Sequence, residues 1–446
     1  MIVTFRIFVL FSFLCPFFAR AQHWEKVGTR IPNATVVDLF LDSSNHQLFI
    51  SGGILQTADS LILKGIALYQ NGDIFSLGPG FLGNPITNSA GKINGQLYAG
   101  GWADPAIERS IAKFNPITET WTPLINAPWG AVRGFKQIDN LLHYYGSFNY
   151  ADSGATSQYV GVIMNDTCYN SPWLDPYTQS FSSIVMDIEK FQNKLFLGGS
   201  FTVNGNKRVF CYFDSTGVHQ VGQWNSSNDQ VACLEIWQNK LILGGYFPGN
   251  PTSNDISLLT YDGTSLNPLL PDNPFLIVYA LKAYHNLLFI AGYHNDSASC
   301  DVQVFDGNTL TSLTHYQLNN AVRDMEIMDD TLFIAGFFQN CFPPDNISGV
   351  AKYSVAVSQL TGLKKAENVS DGNISIYPNP CNKNIIIKGI ETPFHFEIRN
   401  LQGQIIAQGT SNTYQIDTSP LLPGCYLLRL QNADGINTAK IIKENN

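Results

Sequence analysis

The chain has 446 residues, of which 44% are hydrophobic, 12% aromatic and 14% charged, and its formal net charge at pH 7 is −9. An acidic chain gains nothing electrostatically from nucleic acid or from an anionic membrane, so the composition argues against both as partners. Low charge, many aromatic residues and 37 glycines favour an all-β protein over a disordered one.

Residues 1–21 have the pattern of a signal peptide that is removed on export. Arg6 precedes an apolar run over residues 7–18, and Ala19-Arg20-Ala21 has the small-x-small pattern of a cleavage site. The run is too short to cross a bilayer, and no other run is long enough to do so. We therefore predict transport to the periplasm and no transmembrane segment.

A short pattern then recurs seven times, at intervals of 44 to 53 residues: a polar turn, a hydrophobic strand and a closing glycine. The closing glycines are Gly53, Gly101, Gly146, Gly199, Gly245, Gly292 and Gly336. A repeat of this length built from short strands is typical of a β-propeller, in which each repeat forms one blade. We predict a seven-bladed β-propeller over residues 22–360.

The two ends of this region predict how the propeller closes. Residues 23–28 (HWEKVG) have the pattern of an outer strand, whereas the last repeat lacks a clear fourth strand after Tyr353. We therefore expect the N-terminal strand to complete the last blade.

The second repeat resembles the kelch type of propeller. Its LYAGG is followed by IAKFNPITETWTPL, in which Phe114, Thr118, Trp121 and Leu124 stand at kelch-like places. The other repeats lack that tryptophan, and three have a single glycine, so the resemblance is to a divergent kelch-like propeller. It implies a fold and no particular activity.

The propeller pattern stops after the seventh repeat. Residues 361–372 read as a polar linker, and residues 373–446 contain about seven short alternating strands. This spacing predicts a small immunoglobulin-like β-sandwich as a second domain.

Ordered motifs in this C-terminal region are similar to those of the type A sorting domain of the Bacteroidetes type IX secretion system. The matching positions are Tyr377, Pro378, Asn379, Pro380, Gly403, Leu422, Pro423, Gly424, Tyr426 and Lys443. Cys425 departs from the small or aliphatic residue usual in the family. The resemblance implies recognition of residues 373–446 by the type IX machinery, and a secreted or outer-membrane surface protein of a Gram-negative bacterium. Whether the domain is cleaved after export stays open.

The sequence contains no GxSxG, HExxH, phosphate-binding glycine loop or EF-hand pattern, and no histidine pair with metal-ligand spacing. We predict no cofactor and no metal. Five carboxylates lie in the first strands of repeats, which line the central channel of propellers: Asp187, Glu189, Glu235, Asp324 and Glu326. An inward-facing pair of them is a candidate acid and base, and solvated channel walls are the alternative.

Aromatic residues follow the closing glycine in six of the seven repeats. Those predicted to bind a ligand are Trp102, Phe148, Phe201, Tyr246, Tyr293 and Phe337. Aromatic rings on loops over a rigid scaffold can stack on sugars or anchor a protein partner, and packing between blades is the alternative.

Two functions remain. The favoured one is a non-enzymatic ligand-binding or adhesive module with a glycan or protein ligand, and the alternative is a polysaccharide-degrading hydrolase or lyase with its site in the channel. The seven cysteines after residue 21 leave at least one unpaired, with Cys300–Cys341 and Cys381–Cys425 as candidate disulfides. Ligand identity and oligomeric state are left open.

Overall fold

The computed structural model describes residues 24–28, 35–53, 63–78, 87–104, 109–149, 159–171, 181–203, 206–214, 216–249, 256–270, 272–294, 299–314, 318–343, 345–360, 375–390, 392–400, 405–432 and 435–444. The predicted signal peptide, the predicted linker and Gly403 lie outside these residues. The chain divides after Thr361 into two compact units. The prediction of an all-β protein is confirmed, because the one helix in the described ranges, α1 (Val357–Leu360), has four residues. None of the described helical segments has the length and apolarity needed to cross a membrane.

The first unit contains, in its described part, seven sets of four antiparallel strands. We call them sheets 1 to 7 in the chain order of their first strands. Sheet 1 consists of β2 (Val36–Asp42), β3 (Gln47–Gly52), β4 (Ile66–Gln70) and β5 (Asp73–Ser76). Sheet 2 consists of β6 (Thr87–Ile93), β7 (Gln96–Asp104), β8 (Arg109–Asn115) and β9 (Thr120–Pro123). Sheet 3 consists of β10 (Trp129–Ile138), β11 (Leu141–Asn149), β12 (Val160–Met164) and β13 (Thr167–Asn170). Sheets 2 and 3 are joined by the pairing of Trp102 with Ala131.

The remaining four sets follow the same order of pairing. Sheets 4 to 7 consist of β14 (Phe181–Phe191), β15 (Lys194–Val203), β16 (Asn206–Asp214) and β17 (Gly217–Gln220); β18 (Gln230–Trp237), β19 (Lys240–Phe247), β20 (Ile256–Tyr261) and β21 (Leu266–Pro268); β22 (Phe275–Tyr284), β23 (Leu287–His294), β24 (Cys300–Phe305) and β25 (Leu310–Ser312); β26 (Val322–Met328), β27 (Thr331–Gly336), β28 (Val350–Tyr353) and β1 (Trp24–Lys26). Their first strands contact one another in the order β2, β6, β10, β14, β18, β22, β26 and back to β2.

The N-terminal strand is the fourth strand of sheet 7, as predicted. Trp24 pairs with Tyr353, and Lys26 pairs with Ala351. The Trp24 ring is 3% exposed, its Nε1 donates to the Leu313 carbonyl at 3.1 Å, and it stacks on Phe342 at 5.4 Å. The two ends of this unit are therefore held together by one sheet.

Each first strand has a β-bulge directly after the residue that pairs with the closing glycine. A Cβ added to Gly336 would lie 2.1 Å from the carbonyl oxygen of Ala321, so the bulged backbone leaves no room for a side chain there. In sheet 1 the glycine at this position is Gly52, which pairs with Val36. The prediction of Gly53 as the closing glycine is wrong by one residue.

The second unit contains two described sheets. The three-stranded sheet has the order β29 (Ser375–Tyr377), β30 (Asn384–Lys388), β33 (Gln415–Asp417), and the four-stranded sheet has the order β32 (Ile405–Ser411), β31 (Phe394–Arg399), β34 (Gly424–Asn432), β35 (Gly435–Lys443). Ile385 and Ile387 of the first sheet share a buried core with Ile398 and Leu428 of the second. The seven strands of this unit agree with those predicted.

Cys300, Cys341 and Cys381 are buried free thiols. The Cys341 thiol donates to Asn319 Oδ1 at 3.3 Å, whereas Cys300 lies beside the carbonyl of its own neighbour, Asp301. Both predicted disulfides are therefore wrong.

The Trp24 contacts predict a large loss of stability on truncation. We expect Trp24→Ala to lower the free energy of unfolding by about 3–5 kcal/mol, because it removes a buried indole and the ring contacts that hold β1 in sheet 7. Urea denaturation followed by circular dichroism measures the change. Trp129→Ala, at a half-exposed indole, is the matched control and is expected to change stability by less than about 0.5 kcal/mol. Equal losses for the two variants would contradict the role assigned to Trp24.

Candidate functional site

The first strands of sheets 1 to 7 surround one central cavity of about 340 Å³. In each first strand we count from the residue that pairs with the closing glycine, which is position 0. Most side chains at positions +1, +2 and +4 line the cavity. The mouth layer, at position +1, is Val37, Asn88, Arg133, Met186, Ala232, Tyr279 and Arg323. The aspartate layer, at position +2, is Asp38, Ser89, Gly134, Asp187, Cys233, Ala280 and Asp324. The lysine–glutamate layer, at position +4, is Phe40, Gly91, Lys136, Glu189, Glu235, Lys282 and Glu326.

Strand alternation alone would not place both +1 and +2 toward the same cavity. The bulge turns both positions toward the cavity, because it sets two residues of the first strand opposite one residue of the second. All five carboxylates predicted from the sequence to face a central channel line this cavity.

The carboxylates of the aspartate layer bridge neighbouring sheets. Asp324 Oδ2 accepts from the backbone N–H of Leu39 at 2.7 Å, which joins sheet 7 to sheet 1. Asp187 Oδ2 accepts from the N–H of Leu234 at 2.8 Å in the same way. Burial raises the pKa of Asp38 to about 7, and burial together with the nearby Asp38 carboxylate raises the pKa of Asp324. These aspartates are committed to backbone hydrogen bonds.

The lysine–glutamate layer contains two ion pairs. Lys136 Nζ lies 2.5 Å from Glu189 Oε2, and Lys282 Nζ lies 2.7 Å from Glu326. Glu235 stands between these pairs in the order of sheets. Burial raises the pKa of Glu235 to about 7, although Lys136 and Lys282 act in the opposite direction. Glu235 is therefore the carboxyl group of this layer that titrates near neutral pH.

The mouth layer combines cations with aromatic rings. The Arg323 guanidinium lies 5.0 Å from the centre of the Tyr279 ring and 5.7 Å from that of Phe337. Tyr279 packs edge-on against Tyr293 at 5.9 Å, and the Tyr293 hydroxyl donates to Asn320 Oδ1 at 2.9 Å. Burial, and then the charge of Arg133, lower the pKa of Arg323 to about 10. Among the residues that the structure describes, neither arginine forms an ion pair.

The six predicted aromatic residues separate by their distance from the closing glycine. Trp102 is one residue after it and is 58% exposed; Tyr246, Tyr293 and Phe337 share this spacing and are half-buried. Phe148 and Phe201 come two residues after the glycine and are 1% exposed. Phe148 lies in the core with Tyr144, and Phe201 lies in the core with Val185, so the binding role predicted for these two rings is wrong.

Sequence analysis missed four residues of this region. Arg133, Tyr279 and Arg323 belong to the mouth layer, and Trp129, 52% exposed, stands two residues from Ala131, the partner of Trp102. The sequence signal for Arg133, Tyr279 and Arg323 is their shared position, because each directly follows the buried valine that pairs with the closing glycine of its repeat.

No set of three or more His, Cys, Asp or Glu side chains in the described ranges is arranged to hold a metal ion.

Among the sorting-motif residues, Asn379 bonds to the last strand of the second unit, Lys443 lies in that strand, and Tyr426 lies in the strand paired with it. Asn379 Oδ1 accepts from the backbone N–H of Ile442 at 2.8 Å, and the Lys443 ammonium donates to the Asn382 carbonyl. The Tyr426 hydroxyl donates to the Leu422 carbonyl at 2.8 Å, and Leu422 itself is 77% exposed. Pro378, Pro380, Pro423 and Gly424 are also exposed, as is Tyr377 in part.

Residues 375–444 match the family described as the secretion system C-terminal sorting domain. The match supports type A sorting, and it implies export by the type IX system and a cell-surface or secreted location. No curated protein matches the sequence significantly.

Three solved structures are similar to this chain at low identity. PorZ, a surface component of the type IX secretion system of Porphyromonas gingivalis, is 12% identical with a TM-score of 0.49, and the match covers 94% of this chain and 61% of PorZ. The extracellular domain of a hybrid two component system of B. thetaiotaomicron is 10% identical with a TM-score of 0.46, covering 95% and 60%. A chain of the mitotic checkpoint complex is 12% identical with a TM-score of 0.44, covering 79% and 98%. This chain thus spans about 60% of the first two. At these TM-scores the likenesses do not establish a shared function.

The raised pKa of Glu235 predicts a pH-dependent stability. At pH 4 the folded and unfolded chains both keep the proton, but between about 4.5 and 7 the unfolded chain releases it first, so Glu235 destabilises the fold as the pH rises. We expect Glu235→Gln to match the wild type at pH 4 and to exceed its free energy of unfolding by roughly 3 kcal/mol above pH 7. Urea denaturation across this range measures the difference.

The exposed Glu119 provides the control. Glu119→Gln is expected to leave the pH profile of stability unchanged. A Glu235→Gln effect of the same size at every pH would contradict the assignment.

Proposed function

We propose that this protein is an exported ligand-binding module, displayed on the cell surface or released, whose arginine and aromatic side chains at the mouth of the central cavity bind a glycan or protein ligand. One observation carries the proposal. Arg323, Tyr279, Tyr293 and Phe337 meet at one end of the cavity, where two guanidinium groups have no ion-pair partner in the described ranges. Clustered rings beside a cation are typical of recognition sites.

The proposed scaffold is a divergent kelch-like seven-bladed β-propeller over residues 22–360. The closed contact order of seven first strands and the pairing of β1 with β28 support it. Trp121, at its kelch-like place, donates from Nε1 to the Leu77 carbonyl at 2.9 Å and packs against Phe114 at 5.0 Å. A propeller brings side chains from every blade to one axis, which is the arrangement that a multi-residue mouth requires.

The proposed export route has two signals. Residues 1–21 direct the chain to the periplasm, and residues 373–446, a small immunoglobulin-like sandwich after the linker 361–372, are recognised by the type IX machinery at the outer membrane. The proximity of Asn379, Tyr426 and Lys443 supports a single recognition surface, since Asn379 bonds to the last strand of that domain, which contains Lys443 and pairs with the strand of Tyr426.

A second candidate function is hydrolysis or elimination in a polysaccharide held in the cavity. The observation that favours it is Glu235, whose raised pKa suits a general acid, in the same layer as Glu189. Against it, Glu189 and Glu326 are paired with lysines, and Asp187 and Asp324 are bound to backbone amides. Binding without chemistry is therefore the better account.

A glycan and protein binding screen with the exported chain, in which polysaccharides are also followed for shortening, separates the two functions. We expect saturable binding without cleavage. Trp102→Ala and Tyr293→Ala are each expected to weaken binding about tenfold, because each removes an aromatic contact surface. Phe75→Ala, at a half-exposed ring of β5, is the control and is expected to bind normally. Shortened polysaccharide that depends on Glu235 would replace the binding function with the enzymatic one.

Export is tested separately by removing residues 375–446 from the chain expressed in a type IX-competent host. We expect the truncated chain to accumulate in the periplasm, because the matched sorting domain is absent. Immunoblots of periplasmic, surface and medium fractions measure this. As a control, Tyr414→Ala alters an exposed ring of the same domain outside the motif and is expected to leave delivery intact. Normal delivery of the truncated chain would contradict the sorting role.

A further inference from the structure

The cations of the central cavity differ in how they are neutralised. Lys136 and Lys282 each contact a glutamate of the neighbouring sheet. Arg133 and Arg323 line the same cavity, and neither has an ion-pair partner in the part of the chain that the structure describes. The two arginines thus differ from the two lysines of the cavity in having no ion-pair partner among the described residues.

The sequence of the mouth layer explains this lack of compensation. None of its seven residues is acidic: Val37, Asn88, Arg133, Met186, Ala232, Tyr279 and Arg323. Asp38, Asp187 and Asp324 of the adjacent aspartate layer accept backbone hydrogen bonds from neighbouring sheets. Of these three, Asp38 also interacts with Arg133: burial raises the pKa of the Asp38 carboxyl group, and the charge of Arg133 acts against this effect. The protein therefore provides two cations at this end of the cavity and no carboxylate at their level.

Holding two like charges in a partly buried site is unfavourable unless something offsets it. Burial, and then the charge of Arg133, lower the pKa of Arg323, as expected for two guanidinium groups that line one cavity. A bound anion removes this penalty, and a carboxylate matches the planar fork of a guanidinium with two parallel hydrogen bonds. The site is suited to an oxyanion.

Aromatic rings define what carries that oxyanion. Tyr279 lies against the face of Arg323, Tyr293 packs against Tyr279, and Phe337 lies near the same guanidinium. A guanidinium fixed against a ring keeps its N–H groups in a defined plane. Rings beside an oriented cation are suited to a ligand that has both an apolar ring face and a pendant carboxylate.

We propose that Arg133 and Arg323 together bind the carboxylate of an acidic sugar, with Tyr279, Tyr293 and Phe337 contacting the sugar ring. This inference rests on the proposed binding function and names the ligand class of the same site. The two arginines come from sheets 3 and 7, which are not neighbours in the order of first-strand contacts, so the bound carboxylate would join side chains of two sheets that are not adjacent.

The test is a calorimetric titration of the exported full-length chain with oligogalacturonate, its methyl ester and a neutral galactan oligomer. We expect the free acid to bind at least tenfold more tightly than the ester. Arg133→Gln and Arg323→Gln are each expected to weaken acid binding at least tenfold and to leave binding of the ester unchanged. Arg323→Lys keeps the charge but not the fork and is expected to give a smaller loss.

Lys240→Gln is the matched control, because Lys240 is an exposed cation at the start of β19, remote from the mouth layer along the strand, and it is expected to bind normally. Circular dichroism and melting temperature establish that each variant is folded. If a glutamine variant fails to fold, the change in acid binding caused by Arg323→Lys alone decides whether the carboxylate site exists.

The outcomes separate the two proposals. Equal affinity for acid, ester and neutral oligomer would overturn the carboxylate site and leave the binding module standing. Displacement of the acid by inorganic phosphate at concentrations at which acetate has no effect would also overturn it, in favour of a phosphate site. Binding of none of the three oligomers, nor of any ligand in the broader screen, would overturn both.

Discussion

The bulge in the first strand of each sheet is the constraint on which the central region of this protein depends. It requires a glycine on the second strand, because in six of the seven sheets a Cβ at that glycine, such as Gly336, would lie within about 2.4 Å of a backbone oxygen. It also moves positions +1 and +2 of the first strand toward the same cavity. Seven repetitions of one backbone irregularity thus create a cavity lined by residues that regular alternation would have divided between the two faces of each sheet.

The aspartate layer shows how this geometry is stabilised. Asp38, Asp187 and Asp324 stand at the bulge and accept backbone N–H groups of the following sheet, so they hold sheets together at the cavity wall. Burying carboxyl groups is costly, and the cost is visible in the raised pKa values of Asp38 and Asp324. Acidic side chains in the cavity are therefore evidence of structural bonding first, and Glu235 follows the same pattern, since it is hydrogen-bonded to the backbone of Ala283 in the next sheet.

The sequence predicted the repeats, the strands, the pairing of β1 with β28 and the lining role of five carboxylates, because periodic hydrophobic patterns and glycines are local signals. It did not predict the bulge, which adds one residue on one strand and leaves no compositional mark at Arg133, Tyr279 or Arg323. The alternation of side chains along a strand would have separated the predicted aromatic residues. Those one residue after the closing glycine are accessible, whereas Phe148 and Phe201, two residues after it, face the core.

Three positions around each bulge differ in how freely their residues vary. The residue before each bulge is buried and is valine in six sheets and Thr87 in the other, because it packs between sheets. Position +2 holds three bridging aspartates and otherwise small residues such as Ala280. Position +1 is more varied, and it holds alanine, arginine, asparagine, methionine, tyrosine and valine. The repeated scaffold thus concentrates its chemical diversity at one position around a shared cavity, and Arg133, Tyr279 and Arg323 of the proposed ligand site all come from that position.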